Sequence, residues 1–177
     1  MVEELVIAGF GGQGVMLMGQ LLSYAGMHDG KNVSWIPSYG PEMRGGTANC
    51  SVVISDELIG SPIVSEPTTA IVMNLPSLSR FEPTVRPGGL LIYNSSLIDK
   101  APERTDIRVI AVPANELAIE LGSDKVANMV VLGAYLEATG AVSVEALKDC
   151  LSEVIPARRQ DLIPMNVQAL ARGAELV

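Results

Sequence analysis

Short aliphatic runs alternate with apolar positions at helical spacing through most of this 177-residue chain. Runs at 5–8, 33–36, 48–54, 70–73, 90–93 and 108–112 are bounded by Gly, Pro, Asn or Ser, the pattern of buried strands. Helical patterning predicts helices at 14–27, 116–121, 129–139, 144–154 and 165–174, with a short one at 78–81. Val144, Leu147, Leu151 and Val154 form one apolar stripe. Gly122 and Gly140 fall where helices should stop, Asn128 and Ser143 where they could be capped, and Pro164 in a first turn. Strands two and three, and three and four, are joined by Gly- and Pro-containing loops rather than long helices. In the second of these, Leu58 and Ile59 could pair back as a hairpin arm after the turn-like Ser55-Asp56-Glu57.

The most informative stretch is the first strand with the turn and helix after it. Leu5 to Ala8 run into Gly9-Phe10-Gly11-Gly12-Gln13-Gly14, after which Val15, Met18, Leu22 and Ala25 recur at helical spacing. This is strand, glycine turn, helix, with all three glycines of a G-x-G-x-x-G pattern. Gly9 suits a tight strand exit, Gly11 a close backbone approach to a ligand, and Gly14 close packing of helix on strand. Free N–H groups and the positive end of the helix dipole there favour a phosphate or carboxylate. A turn using glycine for geometry alone is the plainer alternative. A nicotinamide site should also show Asp or Glu at the end of the second strand, but that strand runs into Ser38-Tyr39-Gly40-Pro41 and Glu42 comes too late. The fold class expected is α/β: a Rossmann-like, mostly parallel sheet flanked by helices, with a largely helical C-terminal third, in a single domain over residues 1–177.

Composition narrows the function classes. Net charge is −8 and there is no Lys/Arg cluster, which argues against nucleic acid. Only 18% of residues are charged, against about 25% in an ordinary domain. Such a surface suggests burial against partners, or else a compact Ala- and Gly-rich monomer. Cys50 and Cys150 are isolated, so neither a disulfide framework nor a cluster or zinc motif is encoded. No apolar run is long enough to span a bilayer, and the Met-Val-Glu-Glu start is unlike a signal peptide; a cytoplasmic protein is expected. His28, the sole histidine, reads as a cation at a helix end. No nucleophile elbow, paired carboxylates or metal-ligand set is apparent, so binding rather than covalent chemistry is expected of this chain.

Ligands of open α/β sheets sit at the carboxyl ends of strands. There the chain places the glycine turn, the run Ser38-Tyr39-Gly40-Pro41-Glu42-Met43-Arg44-Gly45-Gly46-Thr47, then Asn74 to Ser77, then Asn94-Ser95-Ser96. Arg44 beside Gly45-Gly46 could offer a bidentate donor and free N–H groups to one anion, or simply pair with Glu42 as a surface turn. Asn74 and Asn94 end strands, where turn chemistry alone could account for them.

Gly9 to Val15, Ser38 to Ala48, Asn74-Leu75-Pro76-Ser77-Leu78, Gly88-Gly89, Asn94-Ser95-Ser96, residues 128–133 and residues 166–173 together resemble the gamma subunit of 2-oxoacid:ferredoxin oxidoreductases, most of all the 2-oxoglutarate-type enzymes. The resemblance covers essentially the whole chain. It implies a share in a CoA-dependent oxidative decarboxylation giving acyl-coenzyme A, carbon dioxide and reduced ferredoxin. It also implies partner alpha and beta subunits, and a ferredoxin-like delta subunit, that carry thiamine diphosphate, Mg and the 4Fe-4S clusters. Gly9, Gly11, Gly12, Gln13, Gly14 and Asn74 are then expected to hold part of coenzyme A. Tyr39, Gly40, Pro41, Glu42, Arg44, Gly45, Gly46 and Thr47 are expected to line the contact with the catalytic subunits. The alternatives are a free-standing nucleotide-binding sensor domain and a small NAD(P)-dependent oxidoreductase.

Overall fold

A computed structural model describes residues 1–38 and 47–177. Strands β1 (Val2–Phe10), β2 (Asn32–Ser38), β3 (Thr47–Ser55), β4 (Thr69–Val72), β5 (Leu90–Asn94) and β6 (Arg108–Val112) form one sheet in the order β2-β3-β1-β4-β5-β6. β1, β4, β5 and β6 are parallel neighbours, whereas β3 runs antiparallel to both β1 and β2. β2 therefore points the same way as β1. The hairpin arm expected at Leu58 and Ile59 does not form: β3 already has a partner on each edge, and Leu58 is left 89% exposed.

The helices are α1 (Val15–His28), α2 (Leu75–Phe81), α3 (Ala114–Leu121), α4 (Ala127–Thr139), α5 (Val144–Val154) and α6 (Ile163–Ala174). A 3₁₀ turn, Asp124–Val126, leads into α4, and another, Ala157–Leu162, leads into α6. Gly122 and Gly140 end α3 and α4 in the left-handed conformation, and Ser143 caps α5 by accepting from the Ala146 N–H at 3.1 Å, as the sequence predicts. Other starts differ. Asn74 caps α2, which begins at Leu75 rather than 78. The cap of α3 comes from a distant segment: Ser96 Oγ accepts from the N–H groups of Asn115 and Glu116.

Strand alternation sorts side chains to the two faces of the sheet. Ala70, Val72 and Leu91 meet α2 on one face, while Ile71, Met73 and Ile92 join the larger core on the other. That larger core is organised around α4, whose residues from Ala127 to Leu136 are all buried. Tyr135 is fully buried, and its hydroxyl lies 3.3 Å from Glu3 Oε1, while Glu3 Oε2 accepts from Thr68 Oγ1 at 2.9 Å. Burial, and next the nearby Glu3 charge, push the phenol well above its usual range, so it stays a donor.

α6 packs against α4 at backbone distance. A Cβ on Gly173 would overlap the Val130 carbonyl oxygen, and one on Gly133 the Leu170 carbonyl oxygen. Replacing a helix-interior glycine by alanine ordinarily gains ~1 kcal/mol. Here the steric term should win, so Gly173→Ala is expected to lose about 1–3 kcal/mol. A urea unfolding midpoint equal to or above that of the unmodified chain would show that the two helices separate without cost.

Candidate functional site

β1, β2, β4 and β5 all end at one edge of the sheet, and β3 begins there, with Phe10 opposite Thr47 and Ser38 opposite Asn49. The glycine turn between β1 and α1 is braced by its own glutamine. Gln13 Oε1 accepts from the Phe10 N–H at 2.6 Å, Gln13 Nε2 donates to the Met73 carbonyl at 3.2 Å, and the Gln13 N–H returns to the Phe10 carbonyl at 3.2 Å. Its amide is thus committed to backbone, holding the turn against the end of β4.

The glycines divide the work differently from the sequence expectation. Gly9 is the position of close packing against β4: a Cβ there would sit 2.6 Å from Gln13 Oε1 and 2.9 Å from Met73 Cβ. Gly14, at φ 75°, instead lets α4 approach, because a Cβ would overlap the side chain of Asn128. Asn128 reaches the turn directly, donating from Nδ2 to the Gly14 carbonyl at 3.4 Å. It is not the cap of α4, which starts one residue earlier. Gly11 and Gly12 are exposed; Gly12 has φ 94° and nothing within 4 Å of where a Cβ would point. Among the described residues no side chain caps α1, whose first turn lies at this edge.

Beside the turn lies a cleft of about 250 Å³, lined by Gly12, Gln13, Met73, Leu97, Asn115, Asp124, Lys125, Ala127 and Asn128. Asn115 is aimed by Asn94: Asn94 Nδ2 donates to Asn115 Oδ1 at 2.8 Å, while Asn94 Oδ1 accepts from the N–H groups of Ser96 and Ala114. Lys125 is exposed and, among the described residues, forms no ion pair. Neither Asn115 nor Lys125 carries a local sequence signal, because each reaches the cleft only through the packing of α3 and α4. A backbone-lined turn, an ammonium and two carboxamides suit a phosphate or carboxylate.

Asn74 is 2% exposed and accepts from the Ser77 N–H at 2.9 Å, while its Nδ2 has no partner among the described residues. It shapes the end of β4 and does not line the cleft. Tyr39, Gly40, Pro41, Glu42, Arg44, Gly45 and Gly46 lie outside the described residues; Thr47 is half-buried at the start of β3. His28 ends α1 and sits 3.3 Å from Glu153 on α5. Burial pushes both the Cys50 and Cys150 thiols up to about 11, which makes them poor nucleophiles. Among the described residues no group of three or more His, Cys, Asp or Glu is placed to hold a metal ion.

The family model of pyruvate ferredoxin/flavodoxin oxidoreductase matches residues 4–176. The chain belongs to that family. Within it, the chain is 38% identical over 184 residues to the 2-oxoglutarate synthase subunit KorC of Methanothermobacter marburgensis, covering 100% of this chain and 97% of that one. It is 40% identical over 171 residues to the ketoisovalerate oxidoreductase subunit VorA of the same organism, covering 96% of this chain but only 35% of that protein. The keto/oxoacid ferredoxin oxidoreductase gamma subunit from Geobacter sulfurreducens superposes with a TM-score of 0.87 at 29% identity, over 99% of this chain and 96% of that one. The 2-oxoglutarate:ferredoxin oxidoreductase from Magnetococcus marinus shares the fold at a TM-score of 0.89 and 24% identity, over 99% of this chain and 31% of that one. This family member is thus of the gamma-subunit type expected from the sequence.

Gln13→Leu should remove two hydrogen-bond partners of the turn while keeping most of its bulk. A loss of about 1–2 kcal/mol in chemical denaturation is expected. An unchanged midpoint would mean that the glycine turn holds its shape without the brace.

Proposed function

We propose that the chain is the non-thiamine, gamma-type subunit of a multisubunit 2-oxoacid:ferredoxin oxidoreductase acting on 2-oxoglutarate. In that reaction coenzyme A receives the acyl group, carbon dioxide leaves, and two electrons pass to ferredoxin. Thiamine diphosphate, Mg and the 4Fe-4S clusters belong, on this reading, to the alpha, beta and ferredoxin-like delta partners. The chain's own part is to hold a phosphate of coenzyme A at Gly11, Gly12 and the start of α1, with Lys125 alongside. The observation that carries the assignment is the likeness to KorC over nearly the full length of both chains. The cleft's chemistry supports the coenzyme A role: it joins a helix start and a cation that, among the described residues, have neither a side-chain cap nor an acidic partner, in a chain of net charge −8.

A branched-chain 2-oxoacid is the second reading, favoured by the 40% identity to VorA, although the chain spans only about a third of that protein. Co-expression with candidate alpha and beta chains separates these. Acyl-coenzyme A formation by the purified complex should be faster from 2-oxoglutarate than from ketoisovalerate, and the reverse order would favour the second reading. Failure to co-purify with thiamine- and cluster-bearing chains would return the protein to a free-standing nucleotide-binding domain. The isolated chain should oxidise no 2-oxoacid even with added thiamine diphosphate and an artificial acceptor; detectable turnover would refute the division of labour proposed.

Gly12 offers a charge test in the assembled enzyme. At φ 94° any side chain is strained, so Gly12→Asn serves as the uncharged control for Gly12→Asp. A carboxylate about 4 Å from a phosphate costs about 1 kcal/mol in water and about 4 near a protein surface. The KM for coenzyme A should therefore be at least about fivefold higher in the Asp variant than in the Asn variant. Equal values would remove phosphate from the turn.

A further inference from the structure

Helix α1 carries no charged side chain from Val15 to Met27. Leu21, Leu22 and Ala25 are buried in the core. The stripe Met16, Gln20, Tyr24 and Met27 recurs at the helical period on the outer side: Met16 and Gln20 are half-buried, Tyr24 is 38% exposed and Met27 54%. A helix apolar on every side is suited to burial on every side. Its neighbour α5 is ordinary in this respect, presenting Glu145, Asp149 and Glu153 to solvent. On the other flank of α1 lies β2, which is uncharged throughout. Among the described residues β2 pairs only with β3, and no charged side chain on it guards its outer edge. Trp35 of β2 is half-buried against α1, where a Cβ on Gly19 would lie 2.7 Å from the indole Nε1.

The border of this face is acidic at the C-terminal end of α1. After burial, the Glu153, Asp149 and Asp29 carboxylates are what push the Cys150 thiol up, which places the three together beside that end; all three are exposed. His28 lies 3.3 Å from Glu153, while Lys31 and Lys148 are held toward Asp56 and Glu145. A neutral apolar face with an acidic border fits a contact that is apolar and edged with Lys or Arg. A second copy would bring the same border and the same net charge of −8. In VorA the part matched by this chain is 35% of a longer polypeptide, so the fold there sits beside further chain of the same protein. α1 also starts at the cleft, so a chain seated along it reaches the cleft mouth, as acyl transfer to a cosubstrate held there requires. We infer that the outer stripe of α1, with the edge of β2, is where the thiamine-bearing catalytic chain docks, through an apolar patch edged with Lys or Arg. Met27 and Tyr24 are its anchors: a thioether adapts to the facing surface, and a phenol buries a large area. The inference rests on the subunit reading above.

Competition for the assembled complex tests it. Unmodified and variant chains are co-expressed with limiting alpha and tagged beta chains, and the share of each in the purified complex is read by mass spectrometry. Met27→Leu should compete about equally. Met27→Glu and Tyr24→Ala should each be depleted at least about tenfold. Met27→Lys should be depleted further than Met27→Glu, because the facing border is basic. Each isolated variant should keep the urea midpoint of the unmodified chain, since both positions are exposed. Equal incorporation of all variants, or a loss matched by a fall in that midpoint, overturns the docking face while the complex stands. Stronger depletion of Met27→Glu than of Met27→Lys overturns the basic border. An isolated chain that sediments as a dimer, separated by Met27→Glu, gives the face to a second copy and overturns the inference. If the unmodified chain never enters the complex, the subunit reading has failed and the docking face with it.

Discussion

Helix α4 has no polar stripe, so it can exist only between two apolar surfaces, and the rest of the molecule is arranged to provide them. The sheet supplies one through Ile71 and Ile92 in the core that α4 shares; α6 supplies the other. The second surface must come very close. Gly133 and Gly173 remove the side chains that would hold the two backbones apart. Removing water from a helix that is apolar all round is a large favourable term, on the order of 1.5–3 kcal/mol for each large aliphatic side chain. Tyr135, carried into that interior, meets Glu3.

The position of α4 then fixes the edge that carries the candidate site. Its first turn brings Asn128 onto the Gly14 carbonyl, and the 3₁₀ turn before it carries Lys125 to the cleft. Without that docking the glycine turn would have a floor but no second wall. The turn itself is held from below by Gln13, which ties Phe10 to Met73 and so joins the end of β1 to the end of β4. Gly12 and the first N–H groups of α1 need no such tie and are left toward the cleft. The same division recurs at the end of β5, where Asn94 spends its amide on backbone and on aiming Asn115.

Among the described residues no group of three or more His, Cys, Asp or Glu is placed to hold a metal ion. Both thiols are buried and pushed up to about 11, and the lone histidine is at a helix end beside Glu153. On the proposed reading, the chain's share in its oxidoreductase family is to hold a cosubstrate.

Much of this was legible in the sequence because it depends on local order. Residues 5–22 alone specify strand, glycine turn and helix, since the turn needs glycine at its positive φ positions and the apolar period changes from run to helix on either side of it. The six strands and the αL glycines at 122 and 140 were readable for the same reason. The direction of β3 was not: residues 47–55 look alike read parallel or antiparallel, and only the occupation of both its edges excluded the arm at Leu58 and Ile59. The neighbours of Gly9 and Gly14 are not legible, because sequence shows that a Cβ is missing but not what lies where it would be. Packing makes Asn74 a buried cap of α2 and Asn128, placed by sequence at a helix start, a bridge from α4 to the turn. Lys125 and Asn115 had no signal at all, being ordinary polar residues on separate elements. A site assembled from distant segments is a property of how the helices dock on the sheet, and the docking was decided by the burial of α4 and the closeness of α6.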